Sequence, residues 1–328
     1  MLEQVPIIDV PVIKPHQDPV FVKAVGRAFR EIGFAAFPTF YLEGLIDRFY
    51  EESRKVFELP VSVKEEYARP DIYYQRGWTP NYHELGLACR RRGSGGKPMP
   101  DAKECWFGGP VMDPAHPLVK AWPAFYPQNI WPQEVPGFMP AFTRLYHSLY
   151  EIGRNVLRTV GNYLGYPDNF FDGMVKDSPT VMRAIHYPPV KPDEVGKIAW
   201  ACEHTDINLL TVLPAPTRSG LWVRRRDLVM IPAYMPAGHV IVQVADMLDY
   251  LTGGHLASVG HEVRPPVEPT SVGRYSAALF IHARSDFRFE PDMSGPDAKA
   301  MPHLFRPQRA GDMLNQRLHE IGLALARK

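Results

Sequence analysis

A histidine and an aspartate stand two residues apart, at His204 and Asp206, where an apolar and β-branched segment begins. Residues i and i+2 of a strand point to the same face, so these two side chains can converge on one point. An imidazole and a carboxylate that converge in this way are the start of a site for a divalent transition metal. The same short pattern also arises by chance or in a solvated turn, so it needs a third ligand.

The candidate third ligand is His261. It shares the segment Gly253 to Val263 with His255, and an unbroken strand would put both histidines on one face. His261 is favoured because its neighbours are of β type and a further strand follows. Two histidines and one carboxylate on one side of a metal leave the other side open, which suits Fe(II) and O2 chemistry.

A second constellation is Arg274-X-Ser276, in the next β-type segment. Both side chains share a face of that strand, where the guanidinium fork matches a carboxylate and the hydroxyl can add a hydrogen bond. An arginine facing a β core is costly without an anionic partner. The alternatives are an edge strand with the arginine facing outward, and a structural ion pair.

The spacing of apolar residues predicts the elements that must position these side chains. It indicates helices over residues 20–32, 42–57, 138–164 and 312–325, the third being the clearest. Short strands are predicted at 5–10, 34–37, 181–187, 209–213, 221–223, 239–244, 257–263 and 274–282. Strands of this length separated by turns are typical of a sandwich or jelly-roll barrel. We expect one domain, mainly β with flanking helices.

Composition narrows the classes of partner. The 328 residues carry a formal charge of +1, which gives no reason to expect nucleic acid or an acidic membrane. No apolar stretch is long enough for a membrane span, and the N-terminus does not resemble a signal peptide. Cys89, Cys105 and Cys202 lack a zinc-type spacing and suggest reduced thiols. These features predict a cytoplasmic protein, and they do not predict an oligomeric state.

The order of these motifs resembles the Fe(II)- and 2-oxoglutarate-dependent oxygenases of the isopenicillin N synthase-like family. His204-Thr-Asp206 is followed by Ser258-Val-Gly-His261 and then by Arg274-Tyr-Ser276, as in that family. Weaker matches run through most of the chain, including residues 5–9, 57–60, 101–107, 208–213, 220–223 and 311–318. Ile185 stands where many plant members carry Asn, and Glu262 stands where an Arg is common.

The resemblance implies a double-stranded β-helix, or jelly-roll, core with Fe(II) held by His204, Asp206 and His261. It implies that Arg274 and Ser276 bind the distal carboxylate of 2-oxoglutarate, with Tyr187 as a further contact. O2 would be the second co-substrate, and ascorbate would stimulate turnover. Residues 1–165 would form a helical and loop part with the substrate cover, 180–290 the jelly-roll with the metal site, and 311–328 a C-terminal helix.

The expected substrate is a small molecule, to which the resemblance assigns a loop that carries Tyr74, Arg76, Trp78, Asn81, Tyr82 and Glu84. Phe280 shares the face of Arg274 and Ser276, so it is a candidate for the pocket wall and equally for the core. The basic, glycine-rich segment 90–97 is either an anion-binding lid or a solvated loop.

Three functions compete. The first is hydroxylation, desaturation or cyclisation of a metabolite, driven by oxidative decarboxylation of 2-oxoglutarate. The second is oxidation by O2 alone on the same fold, as isopenicillin N synthase performs it. The third is a non-catalytic jelly-roll binding protein, against which the presence of all three candidate ligands argues.

Overall fold

The computed structural model describes residues 4–10, 15–86 and 99–323. Its helices are α1 (Pro19–Glu31), α2 (Glu43–Phe57), α3 (Val61–Glu65), α4 (Pro117–Ala121), α5 (Phe138–Leu164), α6 (Phe170–Val175), α7 (Asp246–Leu251), α8 (Pro296–Ala300) and α9 (Ala310–Glu320). Its strands are β1 (Phe34–Pro38), β2 (Gly77–Thr79), β3 (Leu85–Gly86), β4 (Met99–Pro100), β5 (Glu104–Gly108), β6 (Val181–Tyr187), β7 (Ala201–His204), β8 (Leu210–Pro214), β9 (Leu221–Arg224), β10 (Met230–Pro232), β11 (His239–Val244), β12 (His261–Val263), β13 (Arg274–Ile281), β14 (Arg288–Phe289) and β15 (Gln308–Arg309).

The core consists of two antiparallel sheets. The large sheet has seven strands in the order β1-β11-β8-β13-β6-β5-β2, and the small sheet has four in the order β10-β9-β12-β7. Side chains of both sheets meet in one buried cluster, to which β1 contributes Phe34 and Ala36. The alternate residues Ala35 and Phe37 join a second cluster on the opposite face, together with the helices. The large sheet is therefore buried on both faces, and the arrangement is the predicted jelly-roll with helices outside it.

Helix α5 supports the large sheet from outside. Its apolar stripe buries Phe138, Phe142, Leu145 and Leu149, and it packs on α1, α2, β8 and β13. Gly165 ends the helix in the left-handed conformation at φ 74°, which a glycine adopts without steric cost. The bounds predicted from the apolar spacing agree with the structure at both ends.

Two predicted strands are shorter than expected. Residues 5–10 form only an isolated bridge, in which Ile7 pairs with Ala36. The segment 257–263 becomes a strand only at His261, since β12 begins there. The final helix begins at Ala310 and ends at Glu320.

In the described part of the chain, no helix combines the length and apolar character needed to cross a membrane. Cys105 is a free, buried thiol, whereas Cys202 is disulfide-bonded. The prediction of reduced thiols is therefore wrong for Cys202, because the spacing of cysteines in a sequence does not reveal which of them approach each other in the fold.

A buried carboxylate joins β5 to its surroundings. Glu104 accepts hydrogen bonds from Lys64 Nζ at 2.7 Å, Trp78 Nε1 at 2.8 Å and His186 Nδ1 at 2.8 Å. Burial raises the pKa of Glu104, but the hydrogen bonds from His186 and Lys64 outweigh it and leave the pKa below its usual value. This cluster connects α3, β2 and β6 to β5.

Replacing Glu104 by alanine should lower the free energy of unfolding by about 3–5 kcal/mol, because Lys64 would keep a buried charge without its partner. Urea denaturation followed by circular dichroism measures this loss. The control is Glu31→Ala, which removes an exposed pair with Arg27 and should cost no more than about 1 kcal/mol. Equal losses in both variants would contradict the assignment.

Candidate active site

Three predicted ligands meet at the edge of the small sheet. β7 ends at His204, β12 begins at His261, and the two residues are paired across the strands. Asp206 follows β7 by two residues and is buried. One ligand atom from each of the three side chains lies within 4.8 Å of the others. His255 is elsewhere, with its ring stacked on Tyr163 at 5.9 Å between centroids.

Hydrogen bonds fix which atoms face the common point. His204 Nδ1 lies 2.7 Å from the carbonyl oxygen of Cys202, which leaves Nε2 directed inward. Asp206 Oδ2 accepts hydrogen bonds from Thr211 Oγ1, at 2.6 Å, and from Gln243 Nε2. Asp206 Oδ1 remains free to face Nε2 of His204 at 3.7 Å and Nε2 of His261 at 3.9 Å. Outer partners that orient ligands in this way are typical of metal sites.

The protonation states also suit a metal ion. Burial raises the pKa of Asp206, but the two histidines and the Thr211 hydrogen bond outweigh it and lower the pKa below its usual value. Burial, helped by His204, lowers the pKa of His261 to about 4. A neutral imidazole and an ionised carboxylate are the forms that bind a metal. This donor set, with one side open, fits Fe(II).

The large sheet contributes the predicted anion site. Arg274 on β13 is buried and pairs with Tyr187 on β6, whose ring centroid lies 4.9 Å from its guanidinium carbon. Its Nε donates to the carbonyl oxygen of Arg218 at 2.9 Å, while Nη1 has no hydrogen-bond partner. Within the described residues, no carboxylate forms an ion pair with Arg274. A buried guanidinium with an unused donor fits a carboxylate of a bound molecule.

One cavity connects these groups. It has a volume of about 320 Å³, and we call it the inner cavity. Its walls carry the metal-site side chains His204, Asp206 and His261 together with the anion-site side chains Arg274, Ser276 and Tyr187. The volume and the mixture of apolar walls with a few convergent polar groups are those of a small-molecule site.

A second cavity, the outer cavity, has a volume of about 340 Å³. Five residues line both cavities: Lys103, Arg183, His204, Asp206 and Phe280. Phe280, predicted as pocket wall or core, therefore lies on the walls of both cavities. Both cavities border His204 and Asp206, so each offers space for a molecule beside these two side chains.

Among the loop residues predicted to contact the substrate, Glu84 lines the outer cavity, whereas Tyr74, Arg76 and Trp78 line neither cavity as the described residues form it. The ring of Tyr74 packs against that of His83, with 4.4 Å between the centroids and the planes tilted by 58°. Arg76 is fully buried and donates to its neighbour's carbonyl oxygen at 2.6 Å. Trp78 donates to Glu104. Their neighbour Gln75 does line the outer cavity. The segment 90–97, predicted as a lid or a loop, lies outside the described residues.

Helix α9 closes one side of the outer cavity with Leu314, Arg317 and Leu318. Arg317 Nη1 donates to the carbonyl oxygen of Thr205 at 2.8 Å, and Nη2 donates to Asp246 at 2.6 Å. Helix α9 is therefore hydrogen-bonded to Thr205, the residue between His204 and Asp206.

Several polar residues of the site were not predicted from the sequence. They are Lys103, Arg183, Thr211, Gln243 and His282. A signal existed for Arg183, because it alternates with Ile185 and Tyr187 on β6 and so faces the same cavity. Thr211 and Gln243 face each other across β8 and β11, which only the strand pairing reveals.

Comparisons with known proteins agree with this geometry. Residues 5–134 match the model of the N-terminal region of non-haem dioxygenases, described from morphine synthesis, and residues 178–283 match the 2OG-Fe(II) oxygenase superfamily. A solved 2OG-Fe(II) oxygenase family protein from Caulobacter crescentus is 30% identical, with a TM-score of 0.81, covering 98% of this chain and 100% of that one.

Two curated relatives extend the comparison. Homoarginine-6-hydroxylase from Arabidopsis thaliana is 29% identical over 84% of this chain and 74% of its own length. Isopenicillin N synthase from Streptomyces griseus is 26% identical over 66% of this chain and 67% of its own length. With the jelly-roll and the His-Asp-His cluster, these matches show that the chain belongs to the 2OG-Fe(II) oxygenase superfamily, in its isopenicillin N synthase-like branch.

Proposed function

We propose that His204, Asp206 and His261 hold the Fe(II), and that Arg274 and Ser276, with Tyr187 beside them, bind the distal carboxylate of 2-oxoglutarate. One observation carries the proposal: the three convergent ligand atoms and a buried guanidinium with an unused donor line the same cavity. 2-Oxoglutarate can span such a cavity, with its keto-acid end at the metal and its other end at Arg274.

The protein is a non-haem iron oxygenase that couples oxidative decarboxylation of 2-oxoglutarate to oxidation of a small molecule. The bound iron and 2-oxoglutarate supply the activation of O2 and the attack on a C–H bond. The chain's own residues orient the metal ligands, fix one carboxylate and keep water from the reacting atoms. Hydroxylation is the default outcome, and desaturation or cyclisation follows when the substrate's geometry favours it.

The organisation of the chain is part of the proposal. We treat residues 1–328 as one oxygenase domain, with the jelly-roll of residues 180–290 holding the metal. Residues 1–165 supply helices and a cover for the substrate, and the C-terminal part predicted at 311–328 supplies α9, which ends at Glu320. A cytoplasmic location also stays a prediction, against which the disulfide of Cys202 weighs, because the cytosol keeps most thiols reduced.

The two other functions are not favoured. Oxidation by O2 alone would leave Arg274 to a carboxylate of the substrate itself, whereas the match to the 2OG-Fe(II) oxygenase superfamily supports 2-oxoglutarate as its partner. A non-catalytic binding protein does not require an aspartate and two histidines to be oriented toward one point by hydrogen bonds.

The first test is succinate formation from 2-oxoglutarate with Fe(II), ascorbate and O2. The wild-type protein should produce succinate, with or without added substrate, and His204→Ala should reduce the rate at least about 100-fold because one metal ligand is lost. Mass spectrometry measures the succinate. Absence of both succinate and 2-oxoglutarate binding in the wild type would sink the co-substrate assignment and favour oxidation by O2 alone.

Arg274→Gln should raise the KM for 2-oxoglutarate about 10- to 100-fold, since a hydrogen bond to a charged group contributes about 1.5–3 kcal/mol. Arg274→Lys keeps the charge without the fork and should lie between that variant and the wild type. Arg158→Gln is the matched control, because it removes an arginine of α5 that is paired with Asp172 of α6. Its KM for 2-oxoglutarate should equal that of the wild type. An unchanged KM in Arg274→Gln would refute the anion site.

Thr211→Val should weaken Fe(II) binding about 10- to 100-fold, because Asp206 Oδ2 loses a hydrogen-bond donor that orients it. Competition with a coloured chelator under nitrogen measures the affinity. Thr159→Val, which removes a hydroxyl bonded to the carbonyl oxygen of Asn155 on α5, serves as the control. If both variants bound Fe(II) equally well, Thr211 would have no positioning role.

A further inference from the structure

The most unusual group of the outer cavity is Arg183. Its guanidinium carbon lies 4.4 Å from the ring centroid of Phe107 and 5.0 Å from that of Phe280, so it is held between two aromatic rings. Nη1 contacts both carboxylate oxygens of Glu84, at 3.0 and 3.2 Å. Nε is buried and has no hydrogen-bond partner. Three contacts thus fix the conformation of Arg183, and its Nε has no partner among the described residues.

The charges around Arg183 cancel. Glu84 also binds Lys103 Nζ at 2.8 Å, and Lys103 binds Asp101 at 2.9 Å. Two cations and two carboxylates therefore form a closed, buried group, in which Asp101 additionally accepts the backbone N–H of Cys202. The opposing charges lower the pKa of Glu84 to about 2 against the effect of burial, so its carboxylate is ionised at neutral pH.

The remaining charged residues of the outer cavity are also paired. Arg317 binds Asp246 and Glu320, and Glu203 binds Arg224. In the metal site, Asp206 and Arg274 balance a divalent iron with a dianionic 2-oxoglutarate. An anionic or cationic substrate would bring an uncompensated charge into this interior or would have to break an existing pair, and either costs several kcal/mol.

A second unused polar group lies on the same wall. His282 is 4% exposed and its Nδ1 has no hydrogen-bond partner. Burial lowers its pKa to about 3, so the ring is neutral and can donate or accept one hydrogen bond at each nitrogen. Apolar side chains, among them Val181, Phe280 and Leu314, cover the rest of the cavity.

We propose that the outer cavity recognises a small, uncharged molecule with an amide-type group. Its carbonyl oxygen accepts a hydrogen bond from Arg183 Nε, its polar hydrogen or second acceptor meets His282, and its apolar part lies against Phe280. The proposal rests on the proposed function, since the outer cavity is the substrate site only if the inner cavity holds iron and 2-oxoglutarate. Arg183 is then a residue that determines specificity.

The test uses three six-membered rings of similar size that differ in charge: δ-valerolactam, cyclohexylamine and cyclohexanecarboxylate. Each is titrated by calorimetry into the full-length protein loaded with Fe(II) and 2-oxoglutarate under nitrogen. We expect the lactam to bind at least about tenfold more tightly than either charged ring, from the cost of an unpaired buried charge. Equal or weaker binding of the lactam, including no binding of any ring, overturns the proposal.

Variants localise the contact. Arg183→Lys keeps the charge beside Glu84 but loses Nε, and it should weaken lactam binding about tenfold. Arg154→Lys, at the outer face of α5, is the matched control and should bind like the wild type. If Arg183→Lys folds poorly, His282→Phe tests the second proposed contact. This variant should also weaken lactam binding. Lactam affinity unchanged in both cavity variants contradicts the assigned contacts.

The two levels of the proposal fail differently. If the protein neither binds 2-oxoglutarate nor forms succinate, the proposed function itself is wrong. If 2-oxoglutarate binds and cyclohexanecarboxylate is the preferred ring, the oxygenase stands and the substrate class is anionic instead.

Discussion

The site depends on one buried carboxylate with two differently used oxygens. Asp206 follows a strand of the small sheet, yet its Oδ2 is held by Thr211 and Gln243 of the large sheet. This hydrogen bonding connects the two sheets at the metal site and leaves Oδ1 for the histidines. The orientation of the ligand is therefore a property of how the sheets pack, because neither sheet alone supplies both its position and its partners.

Several charged side chains are buried in the interior of the molecule. They are tolerated there because most of them are paired with an opposite charge. Glu104 is satisfied by three donors, and the group around Lys103 closes on itself. Arg274 differs, because it lines the inner cavity and no carboxylate among the described residues pairs with it. That contrast separates structural charges from a binding site more sharply than burial does, since both kinds are equally buried.

The sequence was informative where chemistry follows strand periodicity. His204 with Asp206, and Arg274 with Ser276, share faces by alternation alone, and the order of the motifs indicated the family. Trp78 shows the limit, because its indole donates to Glu104, and the sequence does not reveal that β2 pairs with β5. Thr211 and Gln243 lie on β8 and β11, which pair only in the folded protein. Their convergence on Asp206 could therefore not be predicted from either segment of the sequence.

Helix α9 places part of the cavity wall more than a hundred positions beyond His204 along the chain, with Arg317 joined to Thr205 across 112 residues. The residues that shape the substrate's space are thereby separated from those that hold the metal. Leu314 and Leu318 line the outer cavity and not the inner one, so a change in their size reshapes the space beside the metal site rather than the proposed 2-oxoglutarate site. New substrate preferences can thus evolve, or be engineered, from the C-terminal helix while the oxidative chemistry is inherited intact.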